Sequence, residues 1–199
     1  METTMTNQRV AKSVVHRSRG AQRQGGFSLL EVVIAGAIIT VGLLAVLGLF
    51  GTALSATQSA QLEEIAHARA TQTLESIYTA RQTSQLGFSA IDNTSTGNGI
   101  FVPGTVALTD PGPDGLDGTV DDIPVAPIIL PGPDGILGNS DDQTISLSSF
   151  QRTITITNAV TITGAPDPNL KQVIVTIQYP GAGGLTRTYT VQSLVSAFR

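Results

Sequence analysis

Two kinds of side-chain pattern in this 199-residue chain have the types and spacing to do chemistry. One is a lone carboxylate, Glu31, the single ionisable side chain in the 28 residues from Phe27 to Leu54. An acid inside a membrane-length apolar run costs a few kcal/mol and normally marks a function with a partner of opposite charge. The plain alternative is an interfacial glutamate that reaches back to lipid headgroups. The other pattern is an acidic repeat. Pro111-Gly112-Pro113-Asp114-Gly115-Leu116-Asp117-Gly118-Thr119-Val120-Asp121-Asp122 returns twenty residues later as Pro131-Gly132-Pro133-Asp134-Gly135-Ile136-Leu137-Gly138-Asn139-Ser140-Asp141-Asp142. The shared pattern is P-G-P-D-G-x-x-G-x-x-D-D.

Calcium takes about six to eight hard oxygen ligands at flexible spacing, and glycines let the backbone curl so that close-set carboxylates converge. Asp114, Asp117, Asp121 and Asp122 in the first copy, and Asp134, Asn139, Asp141 and Asp142 in the second, are candidate calcium ligands on that ground. Neither copy is an EF-hand, because the D-x-D-x-D-G spacing and the terminal glutamate are missing. The competing reading is a pair of Pro-Asp-Gly turns with solvated acidic ends. No other cofactor is required by the sequence. There is no cysteine, so neither a disulfide framework nor a thiolate metal site exists. His16 and His67 are far apart, which leaves no zinc-hydrolase set, and His67 reads as an exposed helix residue.

The elements that carry these residues follow from charge and hydropathy. Residues 1–26 hold Arg9, Lys12, Arg17, Arg19 and Arg23 against Glu2 alone, a net of +4, whereas the rest carries six basic and 14 acidic side chains, a net of −8. A basic leader, an apolar run and an acidic remainder are what the positive-inside rule expects of a cytoplasmic N-terminus and a translocated C-terminal part. The run is long enough for about 30 Å of hydrocarbon. An ordinary secretory signal has a shorter apolar core and a small-residue cleavage site after it. Here Gly25-Gly26 comes before the run.

Gly26 followed by Phe27-Ser28-Leu29-Leu30-Glu31-Val32-Val33-Ile34-Ala35 resembles the class III signal of type IV prepilins and type II secretion pseudopilins. The resemblance implies that a prepilin peptidase cuts after Gly26 on the cytoplasmic face and methylates Phe27 as the new N-terminus. It implies that Glu31 pairs with the N-terminal ammonium of a neighbouring subunit and draws subunits into register. The other implied partners are further pilins or pseudopilins in a filament and an inner-membrane assembly platform. The implied location is the bacterial inner membrane as a single-pass protein with a cytoplasmic N-terminus, then a pilus, a periplasmic pseudopilus or the cell surface. Major pilins often carry a helix-kinking proline where this chain has Gly48. Gly36, Gly42, Gly48 and Gly51 each weaken a helix by about 1 kcal/mol relative to alanine. They leave open either local unwinding near Gly48 and Gly51 or close helix packing through small residues.

No proline occurs from Phe27 to Gln85. Beyond Leu54, Leu62, Ile65, Ala66, Ala70, Leu74, Ile77 and Tyr78 fall at spacings of three and four, with Gln61, Glu64, Gln72, Glu75 and Gln82 opposite. The pattern predicts one helix of about 55–60 residues, roughly 85 Å at the standard rise. Residues 27–54 are its membrane or filament-core half, and 55–86 its amphipathic half. Residues 87–143 are turn-rich and hold the repeats. Residues 144–199 read as an antiparallel β-sheet head: Arg152–Thr157, Val173–Tyr179 and Leu185–Val191 alternate at period two, with a fourth strand expected around Thr144–Leu147. Turn-rich links over 164–169 and 179–184 join them. The expected fold is α+β and pilin-like, a long N-terminal helix packed against a small antiparallel sheet. The β-rich C-terminus resembles minor pilins of the PilV type and the small I-type pseudopilins.

The reading is therefore a minor type IV pilin, a structural subunit and no enzyme. The alternatives are a minor pseudopilin of a type II secretion system and a calcium-dependent adhesive pilin. An anchored enzyme lacks parts: there is no cysteine, one histidine after Gly26, and no serine in a nucleophile-elbow context. Nucleic-acid capture needs a basic patch, and only Arg69, Arg81, Arg152, Lys171, Arg187 and Arg199 are available in an acidic remainder.

Overall fold

The computed structural model describes residues 26–198. The leader expected over residues 1–26 therefore lies outside the described residues, apart from Gly26. Leu29–Gln82 form a helix, α1, and the chain divides into two compact units between Leu47 and Gly48.

In the first unit the helical residues are apolar on every side and exposed, Leu30, Val33, Ile38 and Leu44 among them. An all-round apolar helix belongs in lipid or among other helices. By length and composition α1 is long and apolar enough to cross a membrane. The Thr40 hydroxyl donates to the Gly36 carbonyl at 2.8 Å, so this polar group needs no solvent. The helix continues without interruption past Gly36, Gly42, Gly48 and Gly51, and open space lies where a Cβ would be at each. The unwinding that Gly48 and Gly51 allowed does not occur, and their small surfaces are available to a second helix.

In the second unit α1 buries Ala66, Ala70, Thr73, Leu74, Ile77 and Ala80, with Leu62, Ile65 and Tyr78 at the margin of the same face. This is the apolar stripe that the three- and four-residue spacing predicts. The helix ends as Ser84 enters the left-handed region (φ 68°) and the Leu86 amide turns back to donate to the Ala80 carbonyl at 2.9 Å.

Eight strands follow among the described residues: β1 (Thr105–Ala107), β2 (Thr109–Asp110), β3 (Ile123–Pro124), β4 (Ile128–Leu130), β5 (Gln143–Ile145), β6 (Gln151–Val160), β7 (Pro166–Pro180) and β8 (Thr186–Ser196). The main sheet is antiparallel in the order β1-β6-β7-β8, and two separate ribbons pair β2 with β3 and β4 with β5. Period-two alternation sends Ile154, Ile156, Val173, Val175, Ile177 and Tyr179 inward to the helix face, where all are buried. Burial of each such aliphatic side chain is worth roughly 1.5–3 kcal/mol. Phe150 stacks on Tyr179 with ring centroids 6.0 Å apart, and exposed His67 meets Tyr189 edge-on at 5.1 Å. The outward face is uncharged over these strands. A row of threonines, Thr105, Thr153, Thr176 and Thr190, runs in register across all four of them.

The outcome is the α+β, pilin-like architecture expected from the sequence, a long helix packed against a small antiparallel sheet. One strand is placed differently. The fourth strand of the main sheet is β1, drawn from the turn-rich region. The segment expected there, Thr144–Leu147, instead gives β5 to a ribbon and turns Leu147 into the core at 1% exposure. Leu147 and Phe150 are both buried, and the Phe150 amide donates to the Leu147 carbonyl at 3.0 Å in the turn that leads into β6.

Candidate functional sites

The first candidate site is the start of α1. Gly26, Phe27 and Ser28 precede the helix, the Val32 amide donates to the Ser28 carbonyl at 3.2 Å, and Phe27 is 82% exposed. Glu31 lies in the first turn, where the helix dipole favours an anion. Along the helix it shares a face with Ile34, Ala35 and Ile38, three, four and seven residues on. Among the described residues the Glu31 carboxylate has neither a hydrogen-bond nor an ion-pair partner. The Glu31 carboxylate is thus exposed, without a partner among the described residues, on a helix that is otherwise apolar around it.

The second candidate site is the pair of acidic repeats. Each copy closes one ribbon, and the two ribbons share a register offset by twenty: Thr109 pairs with Pro124 and Asp110 with Ile123, as Ile129 pairs with Thr144 and Leu130 with Gln143. Inside each loop the same bonds recur. Asp114 Oδ1 accepts from the Leu116 amide at 2.8 Å and Asp134 Oδ1 from the Ile136 amide at 2.9 Å. Asp122 Oδ2 accepts from the Gly118 amide at 2.8 Å and Asp142 Oδ2 from the Gly138 amide at 2.6 Å. Gly118 (φ 90°) and Gly138 (φ 96°) occupy left-handed turns that an L side chain resists. The turn chemistry of the repeat is thus met from within each loop.

The surroundings of the two copies differ. The first is docked on the head through Arg152, which is 1% exposed and enters from β6. Its guanidinium donates to Asp117 Oδ1 at 3.1 Å, to Asp122 Oδ2 at 2.7 Å and to Thr109 Oγ1 at 2.7 Å. Thr109 also donates to Asp122, and Thr73 of α1 donates to Asp117 Oδ2 at 3.4 Å. Helix, loop, ribbon and sheet thus meet at one buried cation. Burial pushes the Asp117 carboxyl up, with the Asp122 charge adding to the rise and the Arg152 guanidinium opposing it. Asp121 lies at the surface, and the Thr119 hydroxyl holds its carboxyl below the ordinary value. Among the candidate ligands of the first copy, Asp117 and Asp122 are brought together around a guanidinium, Asp114 Oδ1 accepts from the Leu116 amide, and Asp121 accepts from the Asp114 amide and the Thr119 hydroxyl.

In the second copy Asn139 Nδ2 donates to Asp134 Oδ2 at 2.6 Å, and Asp141 is exposed. Among the described residues no arginine pairs with it. Asp142 Oδ1 is buried and without a hydrogen-bond partner, although its counterpart, Asp122 Oδ1, accepts from the Thr119 amide and hydroxyl. Leu137 stands where the first copy has Asp117, and Ile129 stands where it has Thr109. Among the described residues, no group of three or more acidic or histidine side chains converges on a point that would hold a metal ion.

The pairing of Arg152 with the first loop is invisible to motif spacing, yet the sequence holds one signal of it. Arg152 falls at an inward position of the alternation it shares with Ile154 and Ile156, and an inward arginine needs a buried acid. Further cations are committed within the head: Arg69 pairs with Asp110 at 2.8 Å, Lys171 with Asp92 at 3.1 Å, and Arg81 donates to the Ala197 carbonyl at 2.7 Å. Partial burial raises the Asp92 carboxyl, but the Asn93 amide and the Lys171 ammonium prevail and hold it below its ordinary value. Comparison with known proteins gives no family model, no curated protein and no solved structure that matches this chain.

Proposed function

We propose that the chain is a minor subunit of a type IV pilin-class filament, held in the inner membrane by α1 before assembly. A prepilin peptidase removes the leader after Gly26 and methylates Phe27. The Glu31 carboxylate then pairs with the N-terminal ammonium of a neighbouring subunit, so that two charges that are each costly in lipid compensate one another. The observation that carries this reading is Glu31 itself, unpartnered in the first turn of an exposed apolar helix that begins just after Gly26-Phe27. The reading assigns the chain no catalysis; its work is assembly. Mass spectrometry of the mature protein tests it. A methylated Phe27 N-terminus is expected, and any other mature N-terminus overturns the processing step.

A pseudopilin of a type II secretion system would carry the same signal, and isolation of the chain with sheared surface pili favours the pilus. For the calcium-dependent adhesive alternative, Arg152 competes in the first copy, where it supplies the counter-charge to Asp117 and Asp122. A rise in the melting temperature of the full chain at millimolar calcium, reversed by chelator, would favour it.

A further inference from the structure

Four steps in the chain place a glycine directly after an asparagine or aspartate: Asn98-Gly99, Asp114-Gly115, Asp117-Gly118 and Asp134-Gly135. Glycine has no side chain to shield its amide nitrogen, so at each step that nitrogen can reach the side-chain carbonyl carbon of the residue before it. The fold separates one step from the other three. The Gly115 and Gly135 amides donate to the Gly112 and Gly132 carbonyls at 3.1 and 3.0 Å, and the Gly118 amide donates to Asp122 Oδ2 at 2.8 Å. Each must give up a hydrogen bond before its nitrogen can turn elsewhere. Among the described residues neither the Gly99 amide nor the Asn98 side chain has a hydrogen-bond partner, and Asn98 is exposed. We propose that Asn98 is a site of spontaneous modification, at which the Gly99 nitrogen displaces the side-chain amide as ammonia and water then leaves an aspartate or an isoaspartate.

The reaction needs no reagent beyond water and its hydroxide. The Gly99 nitrogen loses its proton to hydroxide and bonds to Asn98 Cγ, the Cγ–Nδ2 bond breaks, and ammonia departs from a cyclic succinimide. Water then opens the ring. Opening at Cγ restores the ordinary backbone as aspartate, and opening at the main-chain carbonyl carbon routes the chain through the side chain as isoaspartate. Both products add one negative charge, and isoaspartate also adds a methylene to the main chain. The other asparagines of the head lack one of the two requirements. Asn93 Nδ2 donates to the Ile154 carbonyl at 3.1 Å and Asn139 Nδ2 to Asp134 at 2.6 Å, while Asn158 and Asn169, in β6 and β7, precede Ala159 and Leu170. The loop that carries Asn98 is closed at its base: the Thr94 amide donates to the Phe101 carbonyl at 2.9 Å, the Phe101 amide donates to the Asp92 carbonyl at 3.1 Å, and Phe101 is fully buried. The converted loop therefore keeps its anchor in the core and gains a charge at its exposed tip.

The test warms the full chain in detergent micelles and mildly alkaline buffer, with a parallel sample unfolded in urea. Peptide mapping by mass spectrometry locates any gain of one dalton, and labelling by an isoaspartyl methyltransferase with S-adenosylmethionine measures isoaspartate. In the folded chain the mass gain and the label are expected at Asn98. Urea should raise isoaspartate at Asp114, Asp117 and Asp134 at least about tenfold, a change of about 1.4 kcal/mol in activation free energy, and should raise Asn98 conversion by less. The variant is made at Asn98, because a Cβ at Gly99 would run into the carbonyl oxygens of Asp92 and Asn93. Asn98→Ala, with unchanged circular dichroism, should lose the label in the folded state. An Asn98 that stays intact in the folded chain yet converts in urea overturns the proposal, and so does a label undiminished in Asn98→Ala. Isoaspartate at the three Asp-Gly steps that is indifferent to urea would remove its structural ground and overturn it equally.

Discussion

Arg152 Nη2 lies 2.7 Å from Asp122 Oδ2, and neither side chain is more than 5% exposed. The pair is separated by thirty residues of sequence and joins the acidic loop to the centre of the sheet. With Asp117 as a second acceptor, the cation sits between two acids that would repel each other in its absence.

Arg152→Ala should therefore be among the most damaging substitutions in the head. It strands two buried carboxylates, and removing one partner of a buried ion pair costs about 3–5 kcal/mol. For a unit of this size the melting temperature should fall by about 10 °C. The triple change Arg152→Met, Asp117→Asn and Asp122→Asn should recover much of the loss, since it removes the unpaired charges together. Thermal melts followed by circular dichroism read both outcomes, and a neutral Arg152→Ala would deny the pair its role.

Acid should act on Asp117 in an unusual direction. Its folded pKa is raised above the ordinary aspartate value of 3.8, so between that value and its folded pKa the native state holds more protons than the unfolded chain. Its contribution is greatest at low pH and is lost as pH rises through that window. Asp92 and Asp121, both lowered, act oppositely and lose their contribution as pH falls below 3.8. Asp117→Asn should remove the descending part of the stability profile above 3.8 and leave the acid limb in place. An unchanged profile in that variant would show that Asp117 is not the source.

Gly118→Ala and Gly138→Ala separate the docked loop from the free one. Both place alanine at a positive φ, at a cost of about 1–2 kcal/mol. At Gly118 the new Cβ also runs into Ile154 Cδ1, whereas at Gly138 it meets open space. Overpacking adds about 1–3 kcal/mol, so denaturant titration should find Gly118→Ala the more destabilising of the two. Equal losses would mean that the first loop is not seated on Ile154.

At the other end of the chain, Gly26→Val should block maturation, visible as the retained leader in the mass of the protein. Glu31→Val should be processed normally yet fail to enter filaments, as judged by immunoblot of sheared pili. Assembly of Glu31→Val at wild-type levels would refute the pairing of Glu31 with a neighbour's ammonium.

Much of the fold is legible in the sequence because it depends on periodicity. The face of α1 from Leu62 to Tyr78 and the inward register of β6, β7 and β8 follow from spacings of three and four and of two. The fourth strand is not legible in this way: Thr105–Ala107 is three residues long and pairs through registry with Thr153, Arg152 and Gln151, which no local pattern announces. The repeats are visible as a pattern, and their acids suggest a counter-ion. That Arg152 supplies one to the first copy depends on a contact across 35 residues from Asp117. Long-range ion pairs leave no spacing to read.

The shared register of the two ribbons has a consequence for how this head can change. Because the first loop alone is tied to Arg152 and Ile154, the buried ion pair lies in one copy, and the second ribbon meets the core through Ile128 and Ile145 at its base. Substitutions at Ile129, Ile136 and Leu137 leave that pair intact, so the second loop is free to drift in what it contacts while the scaffold beneath it stays constant. Such an arrangement confines the demands of the buried ion pair to one copy and leaves the exposed tip of the other open to substitution, in one short stretch of chain.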